Sequence, residues 1–310
     1  MSNYFKVLRP GINSTFQDLG RFHLQHLGIV ASGCMDRLSF SISNKLVGNK
    51  ISEGALEFAY QGPLLEFVGE SKMIAVSGKV NFNIIDKNEE KKKGTPNQSF
   101  KISDGEKIDI LSTIDSVYGY ISISGGFKLN EFKGSVSTLI KAKIGPNKGE
   151  KLHIDDKIFF NKSNLLVKEK FIQFDFDKDN TIRAMKGLQF DYFSNKSKED
   201  FFSNEFEITR LTDRMGMRLE GGKIENQVSK NIKSEGITKG SIQVPGDGKP
   251  IILLSDHPTI GGYPKIANII TADYDKLVQK KPGTKIKFKL VDLLVAEEAF
   301  NQYIQKIKNI

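Results

Sequence analysis

The sequence predicts a mainly β fold: two β-barrel-like subdomains, a few short helices and one C-terminal helix. Three observations carry that expectation. Between residues 55 and 160, short apolar segments are cut at close intervals by Gly-Pro, Asp-Gly and Gly-Gly pairs, the pattern of many short strands. Alternating segments return in the second half, at Glu205–Thr209 and Lys285–Val291. Nothing matches a Rossmann fingerprint or the phosphate-loop pattern G-x-x-x-x-G-K-[ST], so a doubly wound α/β sheet is not indicated.

In chain order, Tyr4–Arg9 reads as a first strand closed by Pro10-Gly11, and Ser14–Arg21 as a polar, glycine-ended ligand-type loop. Met35, Leu38, Ile42 and Leu46 fall at helical spacing before Gly48-Asn49, with Ser32 or Asp36 as the cap. Strands are expected at Leu64–Val68, Met73–Ser77, Lys107–Leu111 and Tyr118–Ser124. Lys91-Lys92-Lys93, after Glu89-Glu90 and before Gly94, reads as a solvated hairpin tip. The polar stretch 161–170 is the expected joint between subdomains 1–165 and 166–310. Phe171–Phe176 alternates like a strand, and a short capped helix is expected near Ser197–Phe202. Ile251–Leu254 reads as a buried strand delivering the loop Asp256–Lys265, whose paired glycines suit a turn or close approach to a ligand. In Lys285–Val291, Ile286, Phe288 and Leu290 share a face. After Asp292 a final helix carries the stripe Leu293, Ala296, Phe300, Ile304 and Ile307, which would face the core or another subunit.

At 310 residues the chain is long enough for one large or two ordinary domains with a full core. No run of 18 apolar residues spans a membrane, and the N-terminus lacks a signal-peptide core, so the cytoplasm is the expected compartment. One cysteine, Cys34, excludes an internal disulfide and a thiolate cage. The net charge of +9 comes from scattered lysines without interleaved aromatic platforms, which argues against a nucleic-acid surface. The four histidines form no metal-ligand spacing, and no G-x-S-x-G elbow is present. Of only seven arginines, five lie in two short segments: Arg21 and Arg37, then Arg210, Arg214 and Arg218. Guanidinium forks suit carboxylates and phosphates, so these segments read as anion-handling ones or as structural ion pairs.

Four further polar, glycine-punctuated segments accompany the Asp256–Lys265 loop: Gln17–Arg21, Ser32–Asp36, Thr212–Gly216, and Ser234–Gly236 running into Gln243–Gly248. Each suits a turn equally well; together they place carboxylates, amides and arginines at strand ends.

Ordered motifs then identify a relative. Thr15-Phe16-Gln17-Asp18-Leu19-Gly20-Arg21, Ser32-Gly33-Cys34-Met35-Asp36, Asn44-Lys45-Leu46-Val47-Gly48-Asn49, Ala55-Leu56-Glu57 and Gly134-Ser135-Val136-Ser137-Thr138 stand in the first half. Asp213-Arg214-Met215-Gly216, Ser234-Glu235-Gly236, Ile242-Gln243-Val244-Pro245, and Asp256 with Gly261-Gly262-Tyr263-Pro264-Lys265 stand in the second. Over nearly its whole length the chain resembles the allophanate hydrolase subunit 2 family, which includes the C-type subunits of 5-oxoprolinase and is also called biotin-dependent carboxyltransferase-like. It departs from the family where an arginine is usual: Val136 within the Gly-Ser-x-Ser-Thr motif, and Glu150 after Gly149.

The resemblance implies barrels of the cyclophilin-like type and a cytoplasmic heteromeric complex. The partners would be an allophanate hydrolase subunit 1-like protein and a third 5-oxoprolinase subunit. Such a complex uses ATP, with Mg, at a site shared with a partner, to open the lactam of 5-oxo-L-proline to L-glutamate. The alternatives are a carboxyltransferase moving CO2 from carboxybiotin to urea or a similar amide, and a non-catalytic antagonist of a kinase inhibitor. This chain lacks a Met-Lys-Met biotinylation signature, so biotin would come from another protein. Lactam chemistry asks for oxyanion donors and for carboxylates that manage protons. The candidates are Asp36, Asp256 and Asp18 as acid/base or orienting groups, and Arg21 and Arg214 as anion clamps with Lys265 behind them. Gly261 and Gly262 would offer backbone N–H groups, and Gln17, Ser32, Gln243 and Tyr263 would hydrogen-bond the substrate.

Overall fold

The structure, a computed structural model, describes residues 3–162, 168–174, 177–229 and 231–310. The chain divides into two compact units: residues 1–21 with 32–175, and residues 22–31 with 176–309. The segment Phe22–Ala31 therefore groups with the second unit although it is embedded in the sequence of the first.

Period-two alternation builds the first unit. Phe5 and Val7 are fully buried in the strand Tyr4–Arg9, and Leu65 and Phe67 in its neighbour Leu64–Val68, with Phe5 opposite Phe67. A six-stranded antiparallel sheet runs Lys157–Phe159, Tyr4–Arg9, Leu64–Val68, Lys107–Thr113, Val80–Ile85, Lys91–Lys93. A five-stranded one runs Thr15–Gln17, Ala55–Ala59, Tyr118–Ile123, Lys72–Ser77, Gln98–Ile102. Their inner faces share one core, in which Phe5, Phe67 and Phe82 meet Phe58, Val76 and Ile121. The helix Arg37–Leu46 lies on the five-stranded sheet with Leu38, Ile42 and Leu46 buried. Its serines stitch the seam: Ser43 Oγ lies 2.8 Å from Ser122 Oγ, and Ser77 Oγ donates to the Ser39 carbonyl at 2.7 Å. Asp36 is the cap, accepting from the Ser39 N–H at 2.9 Å.

The second unit contains a closed barrel of seven strands. Around the ring they are Thr181–Lys186, Lys265–Ile269, Ser241–Gln243, Ile251–Leu253, Gly216–Glu220, Glu205–Thr212 and Lys285–Leu290. Closure is by parallel pairing of the first with the last, Ile182 opposite Phe288. The helix Asn195–Ser203, capped by Ser194, plugs the ring with Phe201, which stacks on Phe288 at 4.7 Å. The expected mainly β chain with few helices is thus what the sequence folds into, with the closed ring in the second unit and two sheets in the first.

Four local expectations change. Lys91–Lys93 is an edge strand paired with Val80–Ile85, and the tip lies before it, where Asp86 and Glu90 close the turn. Three exposed lysines on an edge discourage further pairing, which explains their place. Phe171–Phe176 is not a strand over its described residues: only Phe171 bridges, to Gln98, while 175 and 176 lie outside them, as do residues 163–167 of the expected joint. Leu290, where its strand ends, is exposed rather than facing inward with Phe288. The final helix, Leu293–Asn309, buries Ala299, Tyr303 and Ile307, while Leu293 and Phe300 are exposed. Tyr303 turns that face inward because its hydroxyl donates to Asp275 at 2.6 Å on the helix Thr271–Val278. No helix among the described residues is long and apolar enough to cross a membrane.

Candidate functional site

In the first unit, four predicted residues meet at the loop Gly134–Thr138. The Asp18 carboxylate accepts from Gly20 N–H at 2.7 Å, Ser135 Oγ at 2.8 Å, Val136 N–H at 2.8 Å and Ser137 Oγ at 2.5 Å. Four donors on one buried carboxylate make Asp18 the organiser of this loop. Arg21, 1% exposed, donates to the Ser137 carbonyl. Gln17, wholly buried, donates through Nε2 to Thr15 Oγ1 at 3.0 Å and to the Thr138 carbonyl at 3.1 Å. Those acceptors fix the amide orientation, since a flip would set two oxygens face to face. Gln17 Oε1 and the neighbouring Thr138 Oγ1 then have no hydrogen-bond partner among the described residues. Ser32, at φ 58°, reaches the same Thr138 carbonyl at 3.5 Å. Gly33 lets its loop press onto the Asp18–Gly20 turn: with φ +94°, its Cβ would stand 2.9 Å from the Leu19 carbonyl.

Asp36 is held by a different network. Beyond the Ser39 N–H it accepts from Ser39 Oγ at 2.6 Å, so both carboxylate oxygens serve the helix start. Its own N–H donates to Tyr120 Oη at 2.8 Å. Tyr120 donates in turn to Glu57 Oε2 at 2.7 Å, which also takes the Met35 N–H at 2.7 Å. Burial, then the Glu57 carboxylate beside it, pushes the Tyr120 phenol well above its usual value, so it stays a neutral donor. Glu57 and Tyr120 were not among the expected residues. A charged residue in the all-buried strand Ala55–Ala59 was the available signal.

In the second unit, Arg214 and Asp256, expected as clamp and acid/base, are one ion pair. Arg214 Nε donates to Asp256 Oδ2 at 2.8 Å and Nη2 to Oδ1 at 3.0 Å, with both side chains under a tenth exposed. Asp213 sets up the turn by accepting from Met215 N–H at 2.7 Å and Gly216 N–H at 3.1 Å. Beside Asp256, His257 is buried and its Nδ1 lies 2.6 Å from the Pro258 carbonyl; burial holds its pKa below the usual value.

Gln243 and Lys265 face each other across two barrel strands. Lys265 is paired with Glu235, which also accepts from Gln189 Nε2 at 2.9 Å, and these two donors depress the Glu235 carboxyl. Gly261 pairs with Glu235 in a short ladder. A Cβ on Gly261 would fall 2.4 Å from Gln243 Nε2, so the glycine is what lets the backbone lie on that amide. Gln243 is buried, and its Nε2 has no hydrogen-bond partner among the described residues. The Gly262 carbonyl is taken by Ile232 N–H at 2.9 Å, and Tyr263 is 39% exposed. Glu235 and Gln189 were missed as site residues; Gln189 carries no local sequence signal at all.

The second unit is a closed seven-strand barrel with an ion pair and buried amides near its strand ends, and comparison gives its class as a carboxyltransferase-domain protein. The chain matches the family described as carboxyltransferase domain, subdomain A and B, over residues 27–290, and it belongs to that family. Among its relatives, the C-type 5-oxoprolinase subunit of Haemophilus influenzae is 33% identical over 307 residues, covering 98% of this chain and 97% of the relative. Its Escherichia coli counterpart, also a C-type 5-oxoprolinase subunit, is 29% identical over 305 residues, covering 97% of each. Among solved structures, the urea amidolyase of K. lactis superposes with a TM-score of 0.90 at 28% identity. That match covers 100% of this chain but 20% of the larger protein, so the chain spans a fifth of it. The full-length resemblance expected from the motifs holds.

The two departures from the family pattern have different settings. Val136 lies beside Gly54 and is 8% exposed. Glu150 is half-buried and stands 3.9 Å from Lys143 Nζ.

Proposed function

We propose that the chain is the C-type subunit of an ATP-dependent 5-oxoprolinase, opening the lactam of 5-oxo-L-proline to L-glutamate with an allophanate hydrolase subunit 1-like partner and a third subunit. The observation that carries this reading is the match, end to end on both sides, to the C-type 5-oxoprolinase subunit of H. influenzae. 5-Oxo-L-proline, ATP and two waters give L-glutamate, ADP and phosphate. Amide resonance makes water attack on the lactam slow, and transfer of the γ-phosphoryl group to the lactam oxygen activates its carbon.

Gln243 Nε2 is the favoured donor to that oxygen, because it is buried and unengaged beside Gly261. Lys265, steadied by Glu235 and Gln189, supplies nearby positive charge, and Gly262 and Tyr263 line the same turn. Arg214 and Asp256 act as a pair that fixes the start of the loop, with His257 next to them. In the first unit, taken by itself, Gln17 Oε1 is an unengaged buried acceptor, with Asp18, Arg21 and Ser32 shaping the loop that holds it. Asp36 positions its helix through the network to Tyr120 and Glu57. Among the described residues no group of three or more His, Cys, Asp or Glu side chains is arranged to hold a metal ion. ATP, with Mg, is assigned to a site shared with a partner subunit, because the sequence offers arginines suited to anions without the phosphate-loop pattern G-x-x-x-x-G-K-[ST].

The test is to copurify the chain with its neighbouring subunits and measure glutamate release from 5-oxoproline with and without ATP. ATP-dependent release supports the reading; an assembled complex that releases none overturns it. The TM-score of 0.90 to urea amidolyase favours a second reading, transfer of CO2 from carboxybiotin to an amide. It predicts carboxylation of urea when a carboxybiotin donor is supplied.

A further inference from the structure

A cavity of about 210 Å³ opens in the first unit and shares no side chain with the residues assigned above. Its floor is apolar: Phe16, Leu129, Leu152 and Ile158, closed on one side by Pro146. Phe16, Leu152 and Ile158 belong to the core between the sheets and Leu129 packs against it, so here the core reaches the surface. The mouth is polar and net positive, with Lys128 and Lys157 against the single carboxylate of Asp156. That carboxylate is already engaged, accepting from His153 N–H at 2.7 Å and Asn147 Nδ2 at 3.1 Å. Neither lysine has a carboxylate partner among the described residues, and Lys157 Nζ rests 5.0 Å from the centre of the Tyr4 ring. Asn147 is pinned as well, donating to the Lys151 carbonyl at 2.8 Å, so this wall is set in place.

Size and lining select a ligand class. A volume of about 210 Å³ leaves room for a ring or branched chain plus a short arm. Two exposed lysines in the lining, against one carboxylate that is already engaged, call for a negative end. We propose that this cavity binds a small carboxylate with an aromatic or branched apolar body. The body lies on Phe16, Leu129, Leu152 and Ile158, and the carboxylate sits between Lys128 and Lys157.

Titration calorimetry of the full chain with phenylacetate tests this, and does not depend on the 5-oxoprolinase reading. The expected result is one saturable site with a Kd on the order of 1 mM for ten non-hydrogen atoms. Acetate, which has the charge without the body, and phenethylamine, which has the body with opposite charge, bind at least about tenfold more weakly. Lys128→Glu with Lys157→Glu changes only exposed side chains and weakens phenylacetate at least about tenfold. Leu129→Trp, which fills the cavity, removes binding with both lysines present. No saturation by about 20 mM overturns the proposal. So does phenethylamine binding as tightly as phenylacetate, or an affinity untouched by either variant.

Discussion

Asp256→Asn isolates the interaction on which the second unit's loop depends. Arg214 donates hydrogen bonds of 2.8 and 3.0 Å to the Asp256 carboxylate, with side chains 7% and 8% exposed. Asparagine keeps the shape but removes the charge, leaving a buried guanidinium without its counter-ion. Breaking a buried pair from one side costs about 3–5 kcal/mol. At about 2–4 °C per kcal/mol for a domain of this size, the thermal midpoint falls on the order of 10 °C. Arg214→Met alone removes the carboxylate's guanidinium and carries a similar penalty. The double variant Arg214→Met with Asp256→Asn recovers much of the loss, because neither charge of the pair is left to desolvate. Calorimetry of the four proteins closes the cycle. If each single variant loses less than about 1 kcal/mol, or the double loses the sum of the singles, the pair is not the buried lock described here.

Three further outcomes are expected. Tyr120→Phe removes the donor to Glu57 and the acceptor for the buried Asp36 N–H, lowering stability by about 1–3 kcal/mol in urea melts. Gly261→Ala pushes a methyl to within 2.4 Å of Gln243 Nε2; ATP-dependent glutamate release by the assembled complex falls about tenfold or more, while stability changes by about 1 kcal/mol. His257 is buried with its pKa held below 6.5, so its contribution to stability is complete above that pH and is lost as pH falls through the folded value. His257→Gln therefore flattens the pH dependence of the melting midpoint as pH falls below 6.5.

Strand positions were legible because burial alternates with the pleat: Phe5 and Val7, or Ile286 and Phe288, announce an inner face by spacing alone. The final helix shows the limit of that reading. Its apolar residues suggested a face through Leu293 and Phe300, but Tyr303 reaches Asp275 and turns a different stripe inward. A hydroxyl's partner 28 residues away leaves no periodic trace. At the candidate site, residue types were legible and pairings were not. Arg214 and Asp256 stood out as a rare guanidinium and a loop-leading carboxylate, and the structure spends them on each other across 42 residues of sequence. Gln189 reaches Glu235 only because a turn and a short strand 46 residues apart meet in the folded unit.

The pattern of engaged and unengaged groups says what kind of recognition each unit offers. Asp18 holds four donors, Asp36 caps a helix, Asp256 holds a guanidinium and Glu235 holds a lysine and an amide. Protonating any of them would dismantle the loop it organises, so these carboxylates suit scaffolding better than proton shuttling. Among the buried side-chain atoms without a partner in the described residues are Gln17 Oε1 in one unit and Gln243 Nε2 in the other, an acceptor and a donor on neutral amides. Each is met by its complement, an N–H for the first and a carbonyl oxygen for the second. Recognition by such a neutral group gains its selectivity from the penalty of leaving a buried polar atom unpaired, rather than from charge. On the proposed lactam reading, the proton transfers of ring opening fall to groups outside these networks.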